Sequence, residues 1–417
     1  MSFQFGSILF FVLSVLLIFL TNDSLISALN LTFIAYIVYF GIGLFILSLQ
    51  KDNYYPLFLF TFSLFSLAFG AFSSYMLPGN WNFQKIIKLA KEEKMLNLSP
   101  SNTTLLICFF LSLLFYFFVF VKIGGIPLFN VNLRDKSPEF LKAFANIFGI
   151  ISISGFYIKA HFSKDGFLLK LFLFLLIIFS GINIVLLLSR HVVFELVILC
   201  LILYYTLHDR KSFSPWNFLL FGALVIIIIA GGQILRSSAY SSFSGSAFAH
   251  ITGLFMVLFA RLSLIGARTL FFIFNNFPGK YSFFNGATYI KRLINLNFHG
   301  KIPNLGYWLF SKTTGEPFGT AYDPISMVGE FYINFGVVGV FMGMFLLGLA
   351  IQIFKKYFLA EPNPYRLIFF GIGSVAFIMS FSYSLMGLIF ELFFVRCALL
   401  FVNVFDTTLK REKFKKC

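Results

Sequence analysis

Acidic side chains are scarce in this chain, so each one is informative. Sixteen Asp and Glu stand against thirty-two Lys and Arg in 417 residues. The acids with most chemical promise are Asp323 and Glu330, at the end of the longest stretch between apolar runs. Glu330 stands at the mouth of the next run, where burial can make a carboxylate a competent base near neutral pH. The same place suits a carboxylate that stabilises the first turn of a helix, and the sequence leaves both roles open. Across 236–333, eight bases (Arg236, Arg261, Arg268, Lys280, Lys291, Arg292, Lys301, Lys312) oppose three acids (Glu316, Asp323, Glu330). Arginine grips phosphate through a planar fork of donors. This stretch therefore suits an anionic ligand with its tail in a bilayer, and a lipid-linked pyrophosphate is the candidate. The plainer alternative is contact with anionic lipid headgroups. Arg190 closes an apolar run and would reach headgroups at the outer surface.

Other signals are weaker. His191 and Glu195 are four apart on an expected helix, but two ligands do not make a metal site. Hydrogen bonds between helices are the simpler reading. His250 and His299 have no partner spacing, although His299 is a further candidate base. Cys108, Cys200, Cys397 and Cys417 form no CxxC pattern, so neither a disulfide framework nor a zinc site is expected. No phosphate-binding glycine motif occurs, which argues against a nucleotide-driven pump.

These residues need elements to hold them. The chain is 59% hydrophobic and 12% charged, with a mean hydropathy of +0.90. Ordinary soluble domains carry about a quarter charged residues, so the composition excludes a soluble enzyme, a disordered chain and a small disulfide module. The net charge of +16 would suggest nucleic acid in a soluble protein. Here the bases lie mostly between apolar runs, so lipid bilayer and anionic substrates are the expected partners, with no nucleic acid. A helix needs about 20 apolar residues to cross the hydrocarbon core. That predicts spans at 5–21, 28–49, 56–76, 104–122, 142–160, 167–189, 192–208, 215–235, 334–354, 366–386 and 389–405. The expected fold class is all-α, a polytopic membrane protein of about eleven (ten to twelve) helices with a large helical extracytoplasmic loop. The expected domains are a bundle over 1–235, the loop over 236–333, and a bundle with a basic tail over 334–417. The first run lacks a basic leader and a cleavage site and reads as a retained span.

The tail Lys410, Arg411, Lys413, Lys415, Lys416 is expected on the cytoplasmic side, which puts 236–333 outside. Residues 247–274 are apolar enough to cross but would place Arg261 near mid-membrane, at about 2.5–3.5 kcal/mol. Arg261 and Arg268 are seven apart and share one helix face, so an amphipathic helix at the outer leaflet is expected. Were it a span, the count would be twelve and the first eight spans would invert. No internal repeat of the transporter kind is present.

Several stretches resemble a known family. Gly124-Gly125-Ile126-Pro127-Leu128-Phe129, Ser189-Arg190, and Gly329-Glu330-Phe331-Tyr332 with Asn334-Phe335-Gly336 are similar to segments of the bacterial oligosaccharide repeat-unit polymerases, the Wzy-type O-antigen polymerases. The likeness covers roughly 104–356, and Arg268 with Gly279 also resembles a loop motif of some members. The resemblance implies a glycosyltransferase of the bacterial cytoplasmic (inner) membrane. It would join undecaprenyl-pyrophosphate-linked oligosaccharides on the outer face, with no cofactor, metal or nucleotide sugar, and a polysaccharide chain-length regulator would be a further partner. On this reading Glu330 is base or acceptor-orienting group, with Asp323 second. Arg190, Arg236, Arg261, Arg268 and Arg292 hold pyrophosphate, and Tyr332 and Asn334 join the substrate site. The rival readings are an O-antigen ligase, a lipid-linked oligosaccharide flippase or transporter, and a structural membrane scaffold.

Overall fold

A computed structural model describes residues 3–21, 27–74, 99–127, 138–162, 166–182, 191–207, 264–290, 305–317, 325–360, 363–382 and 384–416. These residues are helical throughout, with no strand among them. The helices are α1 (Phe3–Leu20), α2 (Ala28–Tyr36), α3 (Ile42–Lys51), α4 (Tyr55–Ser73), α5 (Asn102–Ile123), α6 (Glu139–Phe162) and α7 (Gly166–Gly181). They continue with α8 (His191–Leu207), α9 (Ile265–Asn276), α10 (Leu305–Thr314), α11 (Met327–Ala360), α12 (Pro364–Ile378) and α13 (Leu385–Lys416). Eight helical stretches among the described residues are long and apolar enough to cross a membrane. The helices at 166–181 and 191–207 are apolar but shorter. The expected span at 215–235 lies outside the described residues.

Several elements differ from the sequence expectation. Helix α11 begins at Met327 rather than 334, because Ser326 caps it: its Oγ accepts from Gly329 N at 3.0 Å. The expected span 366–386 ends in a 3-10 turn at Met379–Phe381, and α13 starts at Leu385. The expected span 28–49 is interrupted by a π turn at Ile37–Gly41. The amphipathic helix expected over 247–274 lies only in part within the described residues. There, α9 packs on α3, α4 and the π turn, and no residue from Gly266 to Phe274 is exposed. Hydropathy does not distinguish lipid from protein as the apolar partner.

The chain divides into two compact units. The first comprises 1–80, 255–355 and 376–391, and the second 81–254, 356–375 and 392–417. In the first, α1 lies along α4 in the same direction: Phe3 meets Tyr55 at 5.4 Å and Phe10 meets Phe62 at 5.2 Å. Helix α11 also runs with α4, Phe341 beside Phe62 and Phe345 beside Phe69. Two glycines make that approach possible. A Cβ on Gly70 would stand 1.9 Å from the Phe345 carbonyl oxygen, and one on Gly348 would stand 2.0 Å from that of Leu67. Helices surrounded by apolar chains gain little from hydrophobic burial, so they associate by such close backbone contact between small residues.

In the second unit α5 and α6 run antiparallel. Lys159 Nζ donates to Asn102 Oδ1 at 2.7 Å, Ser152 Oγ to the Leu105 carbonyl at 2.7 Å, and Ser112 Oγ to the Ala145 carbonyl at 2.6 Å. Helix α5 stops at Gly124, whose φ is +75°. Gly124 N and Gly125 N return to the Val121 and Phe120 carbonyls, a glycine-terminated helix end. Asp406, 1% exposed, then ties three helices together. Its Oδ1 accepts from Ser101 N and Thr104 Oγ1, both at 2.8 Å, and its Oδ2 accepts from Tyr365 Oη at 3.2 Å.

Two outcomes follow. Gly70→Leu and Gly348→Leu should each lower the thermal midpoint in detergent by several degrees, while Gly181→Ala, with nothing within 4 Å of the added carbon, should leave it unchanged. Asp406→Ala leaves three donors without their acceptor and should lower unfolding stability by roughly 3 kcal/mol, read by denaturant titration in micelles.

Candidate functional site

The family-like stretch around Glu330 falls in the first unit, and its geometry explains most of its residues. Gly329 lies under α9, where an added Cβ would be 3.0 Å from Leu270 and 3.1 Å from Ile273. Glu330 is 3% exposed. Its Oε2 accepts from Leu385 N at 2.8 Å, the first amide of α13, while Ser384 Oγ accepts from Gly387 N in the same turn. The first amides of a helix have no partner within it and carry the positive end of its dipole. Glu330 therefore stands in the first turn of its own helix, as the sequence suggests, and also meets the start of α13, 55 residues away. Sequence alone could not name that helix, since only folding brings residues 330 and 385 together.

Asn334 is fully buried and holds the segment after α9. Its Oδ1 accepts from Gly286 N at 2.9 Å, and its Nδ2 donates to Thr288 Oγ1 at 2.7 Å and to the Glu330 carbonyl at 2.8 Å. Phe284 N and Asn285 N bond the Ile333 and Asn334 carbonyls. The Asn285-Gly286 turn has positive φ at both residues, as its composition suggests. Helix α11 then kinks at Gly336, with φ +63° and ψ −149°. Phe283 lies over that kink, so a side chain there would meet both backbone strain and a ring at 3.0 Å.

Tyr332 donates to the Phe277 carbonyl at 3.1 Å and pairs with Tyr55 Oη at 3.2 Å. Its ring stands edge-on to Phe274 at 4.9 Å. Trp308 of α10 closes the outer part, 5.1 Å from Tyr281 and 6.4 Å from both Phe277 and Phe284. Asn53 Nδ2 donates to Asn275 Oδ1 at 2.8 Å, fastening the end of α9 to the turn before α4.

Tyr289 is the residue that sequence reasoning missed here. Its ring stacks on Phe335 at 6.4 Å. Its hydroxyl is buried without a well-formed hydrogen bond to a described residue, although Asn334 faces it and the Glu330 carboxylate is near. Burial, and then the negative charge of Glu330, push the phenol above its ordinary pKa, with Asn334 opposing, so the hydroxyl stays protonated. The only advance signal was the Asn285-Gly286 turn, which fixes where Tyr289 falls.

Of the residues read from the sequence, Glu330, Tyr332 and Asn334 come together, and Arg268 is carried by the helix that packs on Gly329. Arg268 is half-buried. Arg190, Arg236, Arg261, Arg292 and Asp323 lie outside the described residues. Tyr332 and Asn334 both hold backbone and side-chain partners within the protein. Glu195 is buried on α8. Two charged residues of α13 were passed over. Asp406 was placed beyond the last span, yet α13 carries it within an apolar stretch, Leu385–Thr408. Arg396 stands mid-way along that same stretch, its guanidinium 5.7 Å from the centre of the Phe369 ring. Among the described residues, no three His, Cys, Asp or Glu side chains are grouped closely enough to hold a metal ion.

Asn334→Ala should free the 284–289 segment by removing an acceptor and two donors at once. The expected loss is about 2–3 kcal/mol, with faster amide hydrogen exchange at Gly286 and unchanged exchange in α5 and α6. No family model, no curated protein and no solved structure matches the chain.

Proposed function

We propose that this protein is a polysaccharide polymerase of the bacterial cytoplasmic membrane, joining oligosaccharide units carried on undecaprenyl pyrophosphate. The observation that carries the reading is a buried carboxylate, Glu330, whose charge acts on a protonated tyrosine hydroxyl that has no well-formed hydrogen bond among the described residues. A sugar hydroxyl is the kind of group that such a pair orients: Tyr289 donates and the carboxylate accepts. The acceptor oxygen attacks the anomeric carbon of the donor sugar, and the bond from that carbon to the pyrophosphate oxygen breaks. The pyrophosphate leaves with the electron pair, and the acceptor proton passes to Glu330. Arg268, with Arg190, Arg236, Arg261 and Arg292, supplies the positive charge that a developing pyrophosphate anion requires. An open apolar groove of about 550 Å³ between α1, the π turn and α4, lined by Phe11, Ile37, Phe45 and Phe60, offers a place for a hydrocarbon tail.

The topology supports the outward placement of this site. Helices α4 and α11 run in the same direction, so the chain between them crosses the bilayer an odd number of times. Five crossings, α5 to α8 with the one expected at 215–235, would meet that requirement and give eleven in all, whereas a further crossing at 247–274 would not. With the basic tail on the cytoplasmic side, as its charge favours, Glu330 would lie at the outer surface.

The reading is tested with purified protein and a defined undecaprenyl-pyrophosphate oligosaccharide, the products being separated on a gel. A ladder of regularly spaced products is expected. Glu330→Gln, whose amide oxygen can still accept from Leu385 N, should abolish the ladder with a fall of only a few degrees in thermal midpoint, and Tyr289→Phe should weaken the ladder at least tenfold with its midpoint unchanged. One transfer to a separate acceptor would identify a ligase instead, and lipid movement without bond formation a flippase. A ladder of full intensity from Glu330→Gln removes that residue from the chemistry.

A further inference from the structure

Helix α13 presents a continuous stripe of exposed side chains in the second unit: Phe393, Arg396, Cys397, Leu400 and Val404. Their spacing of three and four residues places them on one helix face. Four of the five are what a helix in hydrocarbon should expose. The fifth is a full positive charge, twelve residues into an apolar stretch of 24. Among the described residues no carboxylate pairs with Arg396; its guanidinium stands over the Phe369 ring, and the side chain is exposed. An arginine at this depth on a lipid-facing surface is heavily penalised, and such residues pair with an opposite charge where one is within reach.

We propose that this stripe is a docking surface for a transmembrane helix of another protein, one that carries an Asp or Glu at mid-membrane depth. Charge selects the partner. A second copy is the wrong occupant: a two-fold pairing through the same stripe brings Arg396 against Arg396 of the other copy at one depth. Phospholipid alone is also the wrong occupant, since its phosphate lies at the bilayer surface and not at the middle of the helix. The neighbouring apolar side chains supply the packing, and the ion pair supplies the register, as single buried polar residues do between paired helices. This inference does not depend on the proposed transferase reaction.

Cys397 provides a native reporter, since it is exposed on the stripe while Cys108 and Cys200 are buried. Full-length protein carrying Cys417→Ser is labelled at Cys397 with a donor dye through a short linker. It is then reconstituted in phosphatidylcholine vesicles with an acceptor-labelled poly-leucine helix bearing one central Glu. Energy transfer is expected to exceed several-fold that obtained with a central Gln or Leu. Arg396→Leu should remove the difference between the three peptides, and Arg396→Lys should retain part of it. Equal transfer to all three peptides overturns the proposal. So does a preference for Glu that survives in Arg396→Leu. Concentration-dependent transfer between differently labelled copies of the protein alone would show self-association and would also overturn it. Phe110→Trp, on the lipid-facing side of α5, serves as the folded control and should leave the Glu preference intact.

Discussion

Backbone groups released where a helix breaks inside a buried apolar cluster have no water to turn to, and each must find a partner within the protein. That constraint organises the first unit. The chain breaks between Phe381 and Leu385, and the amide at the start of α13 is met by the carboxylate of Glu330. It kinks again at Gly336, and the carbonyls of Ile333 and Asn334 just before the kink are met by Phe284 N and Asn285 N. The π turn at Ile37–Gly41 lies close to the first of these: Tyr36 Oη pairs with Ser380 Oγ at 3.3 Å, and Tyr39 packs on Phe381 at 4.6 Å. Irregular backbone is thus gathered in one region, with each release answered by a polar group from a distant part of the sequence.

Such an arrangement is specific because the answers are few. A carboxylate at a helix start gains from both hydrogen bonding and the dipole. It also fixes where α13 begins, and so fixes the depth of everything that follows on that helix. Asn334 does the same for the segment that carries Tyr289. The result is a buried polar cluster flanked by the rings of Phe274, Phe277, Phe283 and Trp308, and an apolar surrounding raises the value of each electrostatic contact within it. The second unit uses the same device for support alone, where Asp406 receives three donors from two other helices.

The legibility of the sequence was uneven, for physical reasons. Long apolar runs announced the helices, because the hydrocarbon core imposes length and composition on any segment that crosses it. Gly124-Gly125 announced the end of α5 and Asn285-Gly286 a turn, because few other residues tolerate positive φ. The stretch from Gly329 to Gly336 stands out in the sequence, and the structure shows what two of its residues do: Tyr332 and Asn334 hold backbone and rings. Sequence motifs report that a residue type is required at a place, not whether the requirement comes from folding or from chemistry.

The sequence by itself determined the helical class, the apolar surface and the scarcity of acids. These are consequences of composition and local period, which need no partner to be read. Tertiary structure alone decided that Glu330 serves α13, that Tyr289 stands beside it, that Asp406 is buried, and that Arg396 faces outward. Each of these depends on which distant segment comes alongside. That choice is made by the shapes of packed helices, by contacts such as Gly70 against Phe345, and is not written in the hydropathy of either one.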